Sequence, residues 1–159
     1  MKRDNGFTLL EVLIVIAIMG ILLAIALPNF GQYAVRAQRV EARNALQMIA
    51  SQIDQHYRVT RNYKILSDKT SLSNDTIKNW KLDRIPVTGN KRYDISFVNG
   101  SITETGYIIQ ATAAGVQAQR DKDCPYFFYD QSGAKMASKT ATPPAEGSRD
   151  PVSIACWSK

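Results

Sequence analysis

The sequence predicts an α+β fold in which one long amino-terminal helix, membrane-spanning in its first half and amphipathic in its second, packs on a small antiparallel sheet. Three observations carry that expectation. Phe7 to Leu27 reads FTLLEVLIVIAIMGILLAIAL, an apolar run with Glu11 as its single charge. The chain after Pro28 repeats apolar residues at helical spacing, and the second half holds three short β-rich runs separated by glycine-containing turns. With 159 residues, 45% hydrophobic and 21% charged, the polar part makes one compact domain at most, which excludes a large multidomain enzyme.

The first element covers residues 7–28. At about 1.5 Å per residue the apolar run forms a helix of roughly 31 Å, the hydrocarbon thickness of a bilayer. Lys2 and Arg3 ahead of it favour leaving this end in the cytoplasm with the polar part across the membrane. An ordinary secretory signal is the alternative, because Ala24-Ile25-Ala26 resembles a small-residue cleavage site; against it, the run exceeds the usual apolar length of such signals and contains Glu11. An ionisable group in such a helix marks a function with a partner. A cut between Gly6 and Phe7 would create an α-amino group four residues before Glu11, on the same helix face. That amine, of the same chain or the next, is the expected partner; a carboxylate snorkelling to the interface is the plainer reading.

The second half of the helix covers residues 29–62, where Ala42, Leu46, Ile49, Ile53 and Tyr57 recur at three- or four-residue steps and form one apolar stripe. Pro28 removes a backbone donor and crowds the preceding turn, so a bend or lost hydrogen bonds are expected near Ala24 to Pro28, with Gly20 a second soft point. The flank opposite the stripe carries Arg36, Arg39 and Arg43. They read either as a solvated face or headgroup contact, or as contacts to an anionic partner, the acidic patches of neighbouring subunits or DNA phosphates.

Residues 63–159 form the globular head. Residues 63–92 are rich in Ser, Thr, Asn, Asp and Lys without sustained periodicity and read as a connecting loop, anchored by the packing of Trp80 and Leu82. The strand candidates are Tyr93 to Val98, Tyr107 to Thr112 and Tyr126 to Tyr129, so the sheet is expected over 93–133 as an antiparallel meander. The aromatic run Tyr126 to Tyr129 reads as core plus sheet surface, with base stacking as the alternative. Arg120 to Asp123 alternate in charge and read as a hydrated, self-compensated turn rather than a calcium site. Cys124 and Cys156 are the two cysteines, and a disulfide is their natural reading in a chain that opens with a membrane-type segment. The alternative of a reactive thiol lacks a nearby base, since the one histidine, His56, lies far upstream. Such a bridge would pin the weakly structured polar stretch within 124–156 to the sheet.

Gly6-Phe7-Thr8-Leu9-Leu10-Glu11, followed by the apolar run and Pro28, resembles the prepilin signature of type IV pilins and type II secretion pseudopilins. The resemblance implies the type IV pilin fold, removal of residues 1–6 as a leader by a prepilin peptidase, N-methylation of Phe7, and a role for Glu11 in guiding subunits into a helical filament. It implies inner-membrane lipid around the helix before assembly, the head in the periplasm, and helix-helix packing with other pilin subunits in an extracellular filament afterwards. Arg120 to Cys124, the strand and turn ending at Gly133, and Cys156-Trp157 resemble the carboxy-terminal half of PilE-type minor pilins of type IVa pili, in which the disulfide-bounded region serves subunit packing or adhesion. Relatives of ComP type bind DNA during uptake, but carry additional cysteines and a different loop layout.

Lys and Arg exceed Asp and Glu by 6. The surplus lies after Asn29, because Lys2 and Arg3 are balanced by Asp4 and Glu11; it suits an anionic partner such as DNA. No pattern assembles a catalytic or metal site, so neither an enzyme nor a cofactor is expected. The reading placed first is a PilE-like minor pilin supporting pilus biogenesis, adhesion, twitching motility or DNA uptake. The alternatives are a DNA-binding receptor of ComP type and a secretion pseudopilin.

Overall fold

The computed structural model describes residues 8–145 and 147–158, with the side chains of all but 26–30 among them. The chain forms two compact units, divided between Ala34 and Val35. Helix α1 runs from Leu9 to Thr60 and continues through Gly20, Pro28 and Gly31 without interruption, so the expected breaks do not end it.

In the first unit α1 presents its apolar side chains outward, from Leu9 to Ile25. Among the described residues no helix is long and apolar enough to cross a membrane. This corrects the expectation of a membrane-spanning half, and with it the single-pass inner-membrane location: Glu11 interrupts the apolar side chains in the first turn of α1, and the helix runs on into polar sequence.

The second unit is α+β. Its sheet holds β1 (Arg84–Ile85), β2 (Tyr93–Phe97), β3 (Ile108–Ala113), β4 (Tyr126–Asp130) and β5 (Lys135–Ser138) in sequential order, every neighbouring pair antiparallel. The expected meander is therefore present, with five strands instead of three. The period of two sends Tyr93, Ile95 and Phe97 to one face. There they join Ile109, Ala111, Phe127 and Ala137 in one core with Ala42, Leu46, Ile49 and Ile53 of α1. The helical stripe thus covers the sheet, at a hydrophobic gain of roughly 1.5–3 kcal/mol for each fully buried large aliphatic side chain. Phe127 and Phe128 are buried while Tyr126 and Tyr129 stay half-buried, as expected of a strand in core and sheet surface.

The segment read as a loop also contains helix α2 (Asn74–Asn79) as well as β1. Both are too short to leave a periodic trace. After β3 comes α3 (Gly115–Arg120), and after β5 a 3-10 turn (Gly147–Arg149) and α4 (Pro151–Ser158). Asp150 caps α4, its Oδ2 accepting the N–H groups of Val152 and Ser153 at 2.9 and 3.1 Å, and Pro151 suits the first helical position because its missing N–H would be unpaired there. Helix α4 then seals the free edge of β5. Ser153 Oγ accepts Ala137 N–H at 2.9 Å and donates to Ala137 O at 3.1 Å, and Trp157 Nε1 donates to Met136 O at 2.8 Å. A bare edge would offer those groups to another strand. The Cys124–Cys156 disulfide, with an S–S distance of 2.01 Å, ties α4 to the approach to β4.

Candidate nucleic-acid interface

The residues singled out in the sequence are dispersed. Gly6 and Phe7 lie outside the described residues. Glu11 sits exposed in the first turn of α1, where its N–H donates to Thr8 O at 3.1 Å, and Pro28 lies within the same helix. Arg36 is exposed. Arg39 and Arg43, placed by the sequence reading on a flank opposite the core, instead fasten α1 to the head.

Arg39 Nε and Nη2 each donate to the Asp121 carboxylate at 2.8 Å, with the two side chains 11% and 0% exposed. Asp121 also accepts Gln117 Nε2 at 3.1 Å and Cys124 N–H at 3.0 Å, so every lone pair of a buried carboxylate is used. The hydrogen bonds to Asp121 raise the Arg39 pKa above its ordinary value against the opposing effect of burial. The turn Arg120 to Asp123 is therefore no solvated charge run: its second residue is a buried anion. Among the described residues Arg43 pairs with no carboxylate. It donates to Cys156 O at 3.4 Å and to Trp157 O, and lies 6.0 Å from the centre of the Trp157 ring. Carbonyls of the last turn of α4 carry the negative end of the helix dipole, which suits a cation. Burial, followed by the charge of Arg39, lowers the Arg43 pKa.

Further cations stand on the last turn of α1 and the segment that follows it. Arg58, Arg61, Lys64, Lys69, Lys78 and Lys81 are all exposed. Three of them adopt left-handed backbone conformations, with φ of 56° at Arg61, 69° at Lys69 and 58° at Lys81, and among the described residues they are the non-glycine residues that do so.

Each occupies a position whose geometry ordinarily calls for glycine. Arg61 follows the last turn of α1, its N–H bonded to Tyr57 O at 2.7 Å, which is the left-handed carboxy-terminal cap. Lys81 follows α2, where Lys81 N–H bonds Lys78 O at 2.8 Å and Leu82 N–H bonds Ile77 O at 3.0 Å, the double bond pattern of a Schellman motif. Lys69 closes a tight hairpin in which Lys69 N–H bonds Leu66 O at 2.9 Å and Leu66 N–H bonds Thr70 O at 2.8 Å, a turn whose last residue is left-handed. An L-residue there costs on the order of 1 kcal/mol. A cation stands at each despite that cost.

Local acids only partly offset these charges. Asp75 pairs with Lys78 at 3.6 Å. Asp68 accepts Thr70 N–H at 3.0 Å and Thr70 Oγ1 at 2.6 Å, and those bonds hold its pKa below the usual carboxylate value. The segment is rigid because it is packed and bonded: Ile65 bridges Ser71, Leu66, Leu72 and Ile77 are buried, and Trp80 and Leu82 pack against the core. From Arg58 to Lys81 six cations stand against two carboxylates, Asp68 and Asp75, a surplus that suits a polyanion. No feature of the sequence distinguished these lysines and arginines, since a left-handed φ depends on where a helix ends.

Comparison with known proteins adds the decisive observation. Residues 28–128 match the family described as "Type IV minor pilin ComP, DNA uptake sequence receptor". The chain belongs to this family of type IV minor pilins. The matched span contains the whole cationic segment, and it favours the ComP-type alternative over the PilE-type reading. Residues 1–27 match the prokaryotic N-terminal methylation motif. The type IV major pilin PilA of Myxococcus xanthus is 49% identical over 47 residues, 30% of this chain and 21% of that protein. A fimbrial protein of Moraxella nonliquefaciens is 60% identical over 42 residues, 26% of this chain and 27% of that protein. The chain thus spans about a quarter of the length of these two relatives. A fimbrial protein of Pseudomonas aeruginosa is 29% identical over 136 residues, 76% of this chain and 83% of its own length. The crystal structure of the non-core minor pilin PilV of Neisseria meningitidis matches with a TM-score of 0.44 at 16% identity, covering 69% of this chain and 92% of that one. The relatives are pilus and fimbrial proteins, and the minor pilin is accordingly not an enzyme.

Proposed function

We propose that this minor pilin captures duplex DNA for uptake, gripping backbone phosphates with Arg58, Arg61, Lys64, Lys69, Lys78 and Lys81. The observation that carries the reading is the coincidence of two independent facts: the match to a DNA-uptake-receptor family covers the segment, and glycine positions within that segment are held by cations. Binding of this kind neutralises phosphates and releases counterions, so its affinity falls steeply with salt. The two-cysteine layout differs from that of ComP-type receptors, and base preference is not carried over from them.

Assembly is proposed to follow the amino-terminal motif. The leader, residues 1–6, is cut after Gly6 by a prepilin peptidase, and Phe7 is N-methylated. Glu11 then meets the new amine of a neighbouring subunit as helices 7–28 bundle, with Pro28 lending that half its give. Residues 29–62 carry the head, 63–159, and exposed Arg36 is left to meet acidic groups of a neighbour. Mass spectrometry of the chain from filaments should find methylated Phe7 at its start.

The DNA reading is tested by fluorescence anisotropy of a labelled duplex with the purified full chain in non-ionic detergent, across a salt series. Sub-micromolar binding at low salt that weakens as salt rises is expected. No binding in low salt would exclude the receptor function and leave a purely structural pilin.

A further inference from the structure

Beside the core packing and the Tyr57–Tyr63 stack that hold the cationic segment to α1, one imidazole of α1 touches it at two points. His56 Nδ1 lies 2.8 Å from Ser67 Oγ and accepts the Ser67 backbone N–H at 3.2 Å. A backbone N–H can only donate, so Nδ1 must be the unprotonated ring nitrogen in this arrangement, with the proton on Nε2. The ring also stacks on Trp80, with centroids 5.9 Å apart and planes 7° from parallel. Ser67 belongs to the hairpin that presents Lys64 and Lys69, and Trp80 is followed directly by Lys81. One side chain, the sole histidine of the protein, therefore contacts both cation-bearing pieces.

The charges around it are few. From the hairpin comes Asp68, next to Ser67; from the end of α2 comes Lys81, beside Trp80. On α1 the residues one turn away on the same face, Gln52, Ile53, Val59 and Thr60, are uncharged, while Asp54 and Arg58 lie two residues off on other flanks.

We propose that His56 is a positioning residue that makes the grip on DNA proton-dependent, an inference that rests on the DNA-binding reading above. When Nδ1 takes a proton from solvent it becomes a donor: the Ser67 N–H loses its acceptor, and Nδ1–H donates to Ser67 Oγ instead. The hairpin loses that one bond to α1, and one further positive charge appears beside the Trp80 ring, Asp68 and the exposed cations. DNA binding tightens as pH falls from 8 to 5.5, the interval in which imidazoles change charge.

The test compares the full chain with His56→Asn, whose Oδ1 offers a non-titrating acceptor at the same bond distance from Cβ as Nδ1. Tryptophan fluorescence without DNA should titrate with pH in the native chain, since an imidazolium quenches a stacked indole, and stay flat in His56→Asn, where Trp157 still reports. Duplex affinity should rise up to about fivefold from pH 8 to 5.5, the worth of one exposed ion pair, in the native chain alone. Identical pH profiles for both proteins in fluorescence or in binding would overturn the proposal. Absence of DNA binding at every pH removes the receptor reading, and the latch is then decided by the fluorescence titration.

Discussion

Replacing Arg61, Lys69 and Lys81 together by glycine separates a structural from a functional reason for cations at those positions. On the folded side each substitution relieves a left-handed L-residue, worth about 1 kcal/mol. On the unfolded side each glycine adds chain freedom that costs about 0.5–1 kcal/mol on folding. The three sites therefore leave stability unchanged or raise it by up to about 1.5 kcal/mol, and the Tm stays level or climbs by a few degrees. Binding moves the other way. Each lost phosphate contact flattens the dependence of log K on log salt by about 0.9, so three reduce the slope by about 2.7. The loss of affinity between 50 and 200 mM salt then shrinks by roughly 40-fold. Calorimetric melting and anisotropy on one preparation read both quantities. Arg120→Gln with Lys122→Gln, exposed cations outside that segment, is the control and should leave the slope as it was. A melting temperature that drops, or a slope that does not change, would refute the reasoning.

Three further outcomes follow from the fold. Asp121→Asn leaves Arg39 charged and buried without its carboxylate, and should cost about 3 kcal/mol in urea unfolding; adding Arg39→Met should recover part of it. Replacing Cys124 and Cys156 by serine opens the bridged loop and should lower stability by about 3–4 kcal/mol, a loss that added reductant reproduces in the native chain but not in the variant. Ser153→Ala strips Ala137 N–H and C=O of their shared partner, which should cost about 1–3 kcal/mol and raise the tendency of the head to associate through β5, measured by light scattering.

The parts of the fold legible in the sequence are those whose signal is local and repeated. The stripe from Ala42 to Ile53 is visible because burial recurs every turn of α1, and β2 to β4 because each is long enough to alternate. Helix α4 was legible in principle: Asp150-Pro151 is a cap followed by a favoured first residue, hidden only by the polar stretch before it. Asp121 was not. Its neighbours of alternating sign describe a solvated turn, and its real partner is 82 positions away. Arg39 and Arg43 show the same limit within a single helix, for they stand one turn apart on the same face and are chemically identical. Arg39 meets a carboxylate and becomes a fixed buried ion, whereas Arg43 meets the carbonyls closing α4 and a tryptophan ring. What decides between them is the element that arrives opposite. Arg61, Lys69 and Lys81 stay exposed at a hairpin and two helix ends, with φ values that only the folded backbone can impose, and a fixed charge with no ion-pair partner among the described residues is available to a partner in another molecule.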